Sequence, residues 1–309
     1  MGLPTYADTW EKIWYYCFRI FCGLVFLFLI LPILIIIPLS FNVEPYFTFT
    51  SGILSFDSEA YSTRWYADIF KNGMVNPTQE FGWEYIKDSW SNAQWLHSMK
   101  NSFIIAFFAT ILSAVLGTLA ALGLSQSHMP ARNLVMSLLI SPMIVPIIIT
   151  AAGLFFFFSS IGLTGATSSF FGYLAIIFAH AVLGTPFVVI TVTATLIGFD
   201  QSLIRAGQNM GAPPQTVFFK IVMPLILPGV ISGALFAFIT SFDEVVAVIF
   251  LADYDTRTIP RQMWSGIREQ ISPTILAVAT ILVFISICLL ATVELLRRRS
   301  ERLRGVTPA

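Results

Sequence analysis

Charged residues make up only 11% of this 309-residue sequence, and histidine and cysteine occur three times each. Soluble domains carry about 25% charged residues. Here 56% of residues are hydrophobic and the mean hydropathy is +0.80, which excludes both a water-soluble globular domain and a disordered chain. Lys+Arg and Asp+Glu number 17 each and the pI is near 6.8, so no global basic field is present to hold nucleic acid. Cys17, Cys22 and Cys288 lie in or beside apolar runs without metal-ligand spacing, so neither a disulfide framework nor a zinc site is expected. His97, His128 and His180 are scattered. The phosphate loop Gly-x-x-x-x-Gly-Lys-Ser/Thr, the pair His-Glu-x-x-His and the elbow Gly-x-Ser-x-Gly are all missing. The chain is therefore not expected to be an enzyme, to hydrolyse ATP or to carry a cofactor or metal.

What is abundant is apolar sequence in long runs. A bilayer core about 30 Å thick takes roughly 20 apolar helical residues to cross. Phe21–Leu39, Ser102–Leu124, Leu134–Phe158, Phe170–Phe199, Ile221–Leu251 and Ile275–Val293 meet that requirement. The expected fold is an all-α integral membrane protein of six transmembrane helices. The first run is longer than the 7–15-residue core of a secretory signal and is followed by Pro-Leu-Ser-Phe-Asn in place of a small-x-small cleavage site, so it reads as a retained span. Lysine and arginine are denser on segments 1–20, 125–133, 200–220 and 294–309 than on the intervening ones. With the Arg297–Arg299 cluster after the last span, this places both termini in the cytoplasm.

The expected organisation is a first helix with a long extracytoplasmic loop over 1–100, a core of five spans over 101–294 and a basic cytoplasmic tail over 295–309. The outer stretch 40–101 holds Trp65, Trp83, Trp90 and Trp95. It suits either a short folded cap or an amphipathic connector at the interface, where Trp is favoured. His180 falls within a span, where an ionisable group is costly; an interhelical hydrogen bond is its plainest use.

The cytoplasmic segment 200–221 has its own pattern. Asp200 suits an N-cap, and Leu203, Ala206 and Met210 recur at helical spacing. Gly211 is placed to end this helix in a left-handed conformation, and Pro213-Pro214 prevents its continuation. A stiff helix-turn element results, suited to docking into another protein.

At this loop the sequence resembles the permease subunits of binding-protein-dependent ABC importers, whose signature runs Glu-Ala-Ala, three residues, Gly, nine residues, Ile, one residue, Leu-Pro. Ala206, Gly211, Ile221 and Pro224 match, whereas Arg205 replaces the acid, Gly207 the second alanine and Met223 the leucine. The resemblance extends from about Asn101 to Glu294. It implies the type I ABC importer permease fold in a bacterial plasma (inner) membrane. It also implies an ATPase-coupling role for Arg205, Ala206, Gly207, Met210, Gly211, Ala212, Pro213, Ile221 and Pro224. The partners it implies are a second permease of similar fold, two ABC ATPase subunits and an extracytoplasmic solute-binding protein.

Thr240-Ser241-Phe242-Asp243-Glu244 sets two carboxylates inside the fifth apolar run, about 12 Å from Leu251 along a helix. A charge at a span's centre costs about 2.5–3.5 kcal/mol to insert, so something must compensate. Adjacent helical residues diverge by about 100°, so both acids cannot face one pore. Ser-Phe-Asp-Glu at this place is similar to the polyamine branch of the family, importing putrescine and spermidine, which implies a substrate pathway past Asp243, Glu244 and Ser241. Two alternatives stand beside it: a bracing role for the acids, and import of another small solute. A third, from a different class, is an ATP-independent channel or carrier. Gly229-x-x-x-Gly233 with Ala237 forms a small-residue face for close helix approach.

Overall fold

The computed structural model describes the backbone of residues 8–126, 128–197, 200, 202–269 and 272–303; the side chains of 269, 289 and 292–303 lie outside the description. Every regular element among the described residues is helical, beside a single antiparallel bridge between Asn42 and Tyr61. In chain order the elements are α1 (Thr9–Leu39), α2 (Ser51–Leu54), α3 (Arg64–Lys71), α4 (Trp83–Asn92), α5 (Gln94–Leu124), α6 (Arg132–Ile144) and α7 (Ile147–Ser160). Then follow α8 (Ser169–Ile197), α9 (Ser202–Asn209), α10 (Pro214–Val217), α11 (Met223–Asp243), α12 (Val246–Leu251), α13 (Ile259–Glu269) and α14 (Thr274–Leu303).

Four helices are long and apolar enough to cross a bilayer: α1, α5, α8 and the continuous stretch Pro214–Asp243, in which a π-helical segment, Phe218–Val222, joins α10 to α11. The third expected span is broken. Between α6 and α7 the axis turns by 102°, which makes a fifth span only if the pair is counted as one. The cause is Pro146, which cannot donate to the ladder and pushes Val145 into extended geometry (ψ 133°). Pro142, Pro186 and Pro228, by contrast, sit inside α6, α8 and α11 without ending them. The sixth run lies in α14 (Thr274–Leu303); among the described residues its apolar helical stretch is Thr274–Cys288. By length and composition the described residues thus supply four or five spans where the sequence led us to expect six.

The chain divides into two compact units, Met1–Asn72 with Gly266–Ala309, and Gly73–Ser265. The boundary expected at residue 100 falls inside α5. In the first unit α1 starts from a capping box of Asp8 and Glu11 and packs on α14, as does α3. Residues 40–72 fold tightly beside them. Trp65 Nε1 donates to the Asn42 carbonyl at 2.7 Å, Ser40 and Tyr66 share a 2.7 Å hydroxyl contact, and Thr274 donates to Asp68 at 2.7 Å. Residues 40–72 are therefore held in a fixed local geometry by these hydrogen bonds.

The second unit is built on α5, α8 and α11, which pack against one another at close range. Small residues permit this. A Cβ on Gly117 of α5 would lie 2.6 Å from the Val188 Cβ of α8, and one on Gly233 of α11 would lie 2.6 Å from the Val188 Cα. Gly229 approaches the Thr191 carbonyl and Gly184 approaches Ala237 in the same way, at 2.9 Å each. The small-residue face of α11 is thus spent on packing within this chain. Ala121, Val188, Val192, Val222, Ile226 and Ala237 form one apolar cluster of this core, and Ile105, Ala151, Ile176 and Val248 belong to a second that joins α5, α7, α8 and α12.

Candidate functional site: a helical loop and a broken span

The 200–224 segment is ordered by local chemistry. Asp200 Oδ1 accepts from the Ser202 amide at 2.8 Å, opening α9, and these hydrogen bonds from Ser202 hold the Asp200 carboxyl below its usual range. At the other end Gly211 adopts φ +78°, the Ala212 amide reaches back to the Gly207 carbonyl at 3.2 Å, and Pro213 and Pro214 begin α10. This is the left-handed helix stop with its returning hydrogen bond. Gln201 and residues 198–199 lie outside the described residues.

The spacing of Leu203, Ala206 and Met210 left open which face of α9 is covered. Leu203, Ala206 and Met210 point outward, Met210 being 80% exposed, and the covered position is Gly207. A Cβ there would lie 2.8 Å from Ile221 Cδ1 and 3.2 Å from Val217. Glycine at this position is what lets Ile221 seat α9 against the start of the next span. Arg205, Ala212 and Pro213 stay at the surface, and Pro224 is exposed near the start of α11. The loop is a bracket whose apolar stripe is not covered by any of the described residues.

The acidic pair does not lie within a continuous helix. Glu244 takes extended geometry (ψ 124°), α11 ends at Asp243, and α12 restarts at Val246. The two carboxylates then separate. Glu244 is 8% exposed, and its Oε1 accepts from the Ala247 amide at 2.9 Å, satisfying one of the free N–H groups of α12. Asp243 is exposed.

Ser241, expected to line a pathway, is 4% exposed and lies 2.7 Å from His180 Nδ1 of α8. Its hydroxyl is turned into the three-helix core, so the helix rotation that exposes Asp243 withdraws Ser241. His180 is 1% exposed, and its Nε2 is buried with no hydrogen-bond partner. The interhelical hydrogen bond expected of this histidine is present. Of the three residues named for a solute path, only Asp243 presents its polar group at the surface.

One cluster escaped the sequence reading. Around the first turns of α5 a cavity of 150 Å³ is lined by Gln94, His97, Asp255, Arg257 and Gln262 among others. Below it, Asn101 donates to the carbonyls of Asp255 and Arg257 at 2.8 and 2.9 Å, and Tyr173 donates to Asn101 at 2.5 Å. Residues 150 positions apart cannot be paired from spacing alone; the only cue was polar residues persisting into the start of an apolar run.

The family of binding-protein-dependent transport system inner membrane components matches residues 113–302, more than half of the chain. The spermidine/putrescine transport system permease protein PotC of Haemophilus influenzae is 27% identical over 281 residues, covering 91% of this chain and 96% of that protein. The putrescine transport system permease protein PotI of Escherichia coli K12 is 30% identical over 258 residues, covering 83% and 82%. Among solved structures, a bacterial ABC transporter involved in the import of the acidic polysaccharide alginate superposes with a TM-score of 0.66 at 14% identity. It covers 94% of this chain and 99% of the chain compared, and at that identity the likeness speaks to the fold. The bracketed loop, the broken spans and these matches agree: the chain belongs to the inner membrane components of binding-protein-dependent transport systems.

Proposed function

We propose that this chain is the membrane-spanning permease subunit of an ATP-driven importer of polyamines, putrescine or spermidine. The observation that carries the solute class is the exposed Asp243 carboxylate at a break in an apolar span. A fixed anion at membrane depth attracts an ammonium group and repels anions. The names borne by the PotC and PotI relatives support the same class. In this reading Glu244 and Ser241 brace the break and Asp243 meets the solute.

The chain works with a second permease, two ATPase subunits and an extracytoplasmic solute-binding protein. Both termini face the cytoplasm, which puts α9 on the ATPase side. The exposed stripe Leu203, Ala206 and Met210 supplies an apolar contact to an ATPase cleft, and Gly207, Gly211 and Ile221 hold it rigid enough to transmit force. Nucleotide-driven closure of the ATPases then moves α11 through the π-helical join at Phe218–Val222.

The test is uptake of labelled putrescine and spermidine by proteoliposomes holding the assembled complex, comparing wild type with Asp243→Asn. Uptake reduced at least tenfold with unchanged assembly supports the reading. Full uptake by Asp243→Asn removes Asp243 from the path.

A further inference from the structure

The six-residue helix α12 carries a charged side chain at each end. At its start stands the Glu244 cap on the Ala247 amide. At its end, Arg261 of α13 donates through Nη1 to the Val248 carbonyl at 3.1 Å and also to the Ala252 carbonyl. An anion at the N-terminus and a cation at the C-terminus both complement the helix dipole; Glu244 takes up a free amide of the first turn, and Arg261 takes up the Ala252 carbonyl while adding a second donor to the Val248 carbonyl, which already accepts from the Ala252 amide. A helix of this length has little stability of its own.

Arg261 is itself anchored. The Ile259 amide, in the same first turn of α13, donates to Ser102 Oγ of α5 at 2.8 Å, and Ile259 and Ser102 are both buried. Gln262 donates to Gln94 at the head of α5 at 3.3 Å. A continuous chain of contacts therefore runs from α5 through α13 and Arg261 to α12, and through Glu244 to the residue beside it, Asp243. No proline or glycine lies between Asp243 and Leu251 to act as a hinge, so this clamp, together with the packing of Ala247, Val248 and Leu251 in the core, fixes the far side of the break.

We infer that Arg261 is a positioning residue for transport: it clamps α12 to the α5-anchored turn of α13 and thereby sets where the Asp243 carboxylate stands. This rests on the proposed import reading, and it adds a residue some distance along the chain whose loss impairs transport without touching solute. Arg261 suits this role because a guanidinium can donate to two carbonyls at once while remaining charged.

The experiment has two arms. In the first, hydrogen exchange is followed on the full chain in lipid nanodiscs for wild type, Arg261→Gln and Arg261→Lys. Arg261→Gln should speed exchange across 246–252 at least tenfold while leaving 225–240 unchanged, and Arg261→Lys should restore most of the protection. In the second, ATP-driven putrescine uptake by the assembled complex should lose at least fivefold in maximal rate in Arg261→Gln. Half-saturation by the loaded binding protein and basal ATPase should be retained, with recovery in Arg261→Lys. Unchanged exchange overturns the clamp. Faster exchange with wild-type uptake overturns the positioning role. Failure of the wild-type complex to take up either polyamine overturns the import reading instead, and the exchange arm still judges the clamp.

Discussion

Replacing Gly233 by alanine puts a methyl group 2.6 Å from the Val188 Cα, a backbone atom that cannot rotate away. Real side chains essentially never come so near, so α8 and α11 must separate by several tenths of an ångström. Overpacking of this kind costs about 1–3 kcal/mol, and a backbone obstacle puts it at about 3. Alanine returns about 1 kcal/mol through helix propensity. The net is about 2 kcal/mol of destabilisation, close to 30-fold in the folding equilibrium. Gly153 in α7 is the matched control, because a Cβ there meets nothing within 4 Å, so Gly153→Ala should stabilise by up to about 1 kcal/mol. Equilibrium unfolding of the isolated chain in mixed SDS micelles, followed by tryptophan fluorescence, separates the two. Equal shifts, or a stabilised Gly233→Ala, would show that α8 and α11 do not pack backbone to backbone at this point.

Other consequences follow from single contacts. Glu244→Gln keeps an oxygen for the Ala247 amide and should unfold within about 0.5 kcal/mol of wild type, whereas Glu244→Leu leaves that N–H unsatisfied and should lose about 1–3 kcal/mol in the same assay. Met210→Asp alters an exposed side chain, so thermal unfolding should stay within about 0.5 kcal/mol while ATP-driven uptake collapses; retained uptake would detach α9 from coupling. Asp88 accepts from the Asn76 amide, the Asn92 side chain and the Val75 amide, which hold its carboxyl below the usual value of 3.8. A depressed carboxylate stabilises the fold above its unfolded pKa and loses that contribution as pH falls through the folded one. Exchange at Val75 and Asn76 should therefore gain extra speed below about pH 4, relative to neighbouring amides, and Asp88→Asn should abolish that pH dependence.

Much of this was legible in the sequence, and the rest fails for identifiable reasons. Continuous apolar runs located α1, α5 and α8, though polar residues at the heads of α1 and α5 hid their true starts. Gly211 followed by two prolines located the end of α9, because few residues tolerate φ +78° and none of the alternatives to glycine does so without strain. The spacing of Leu203, Ala206 and Met210 identified an apolar face without saying what covers it; Gly207, having no side chain, was the true packing point. The break at Glu244 had no local signal, since Phe-Asp-Glu-Val-Val contains no glycine or proline. It is stabilised by a local carboxylate cap on one side and, on the other, by Arg261 reaching back from the following helix. The partnership of His180 with Ser241 likewise depends on how α8 and α11 are rotated, which close approach at Gly184, Gly229 and Gly233 decides.

The function proposed for this chain is polyamine import powered by separate ATPase subunits. The direct measurement is the initial rate of labelled putrescine and spermidine entry into proteoliposomes in which the ATPase subunits, the second permease and the solute-binding protein are omitted one at a time. Saturable uptake of a polyamine that requires ATP and every component is expected. Uptake that persists without the ATPase subunits, or a complete complex that hydrolyses ATP and transports neither polyamine, would contradict it.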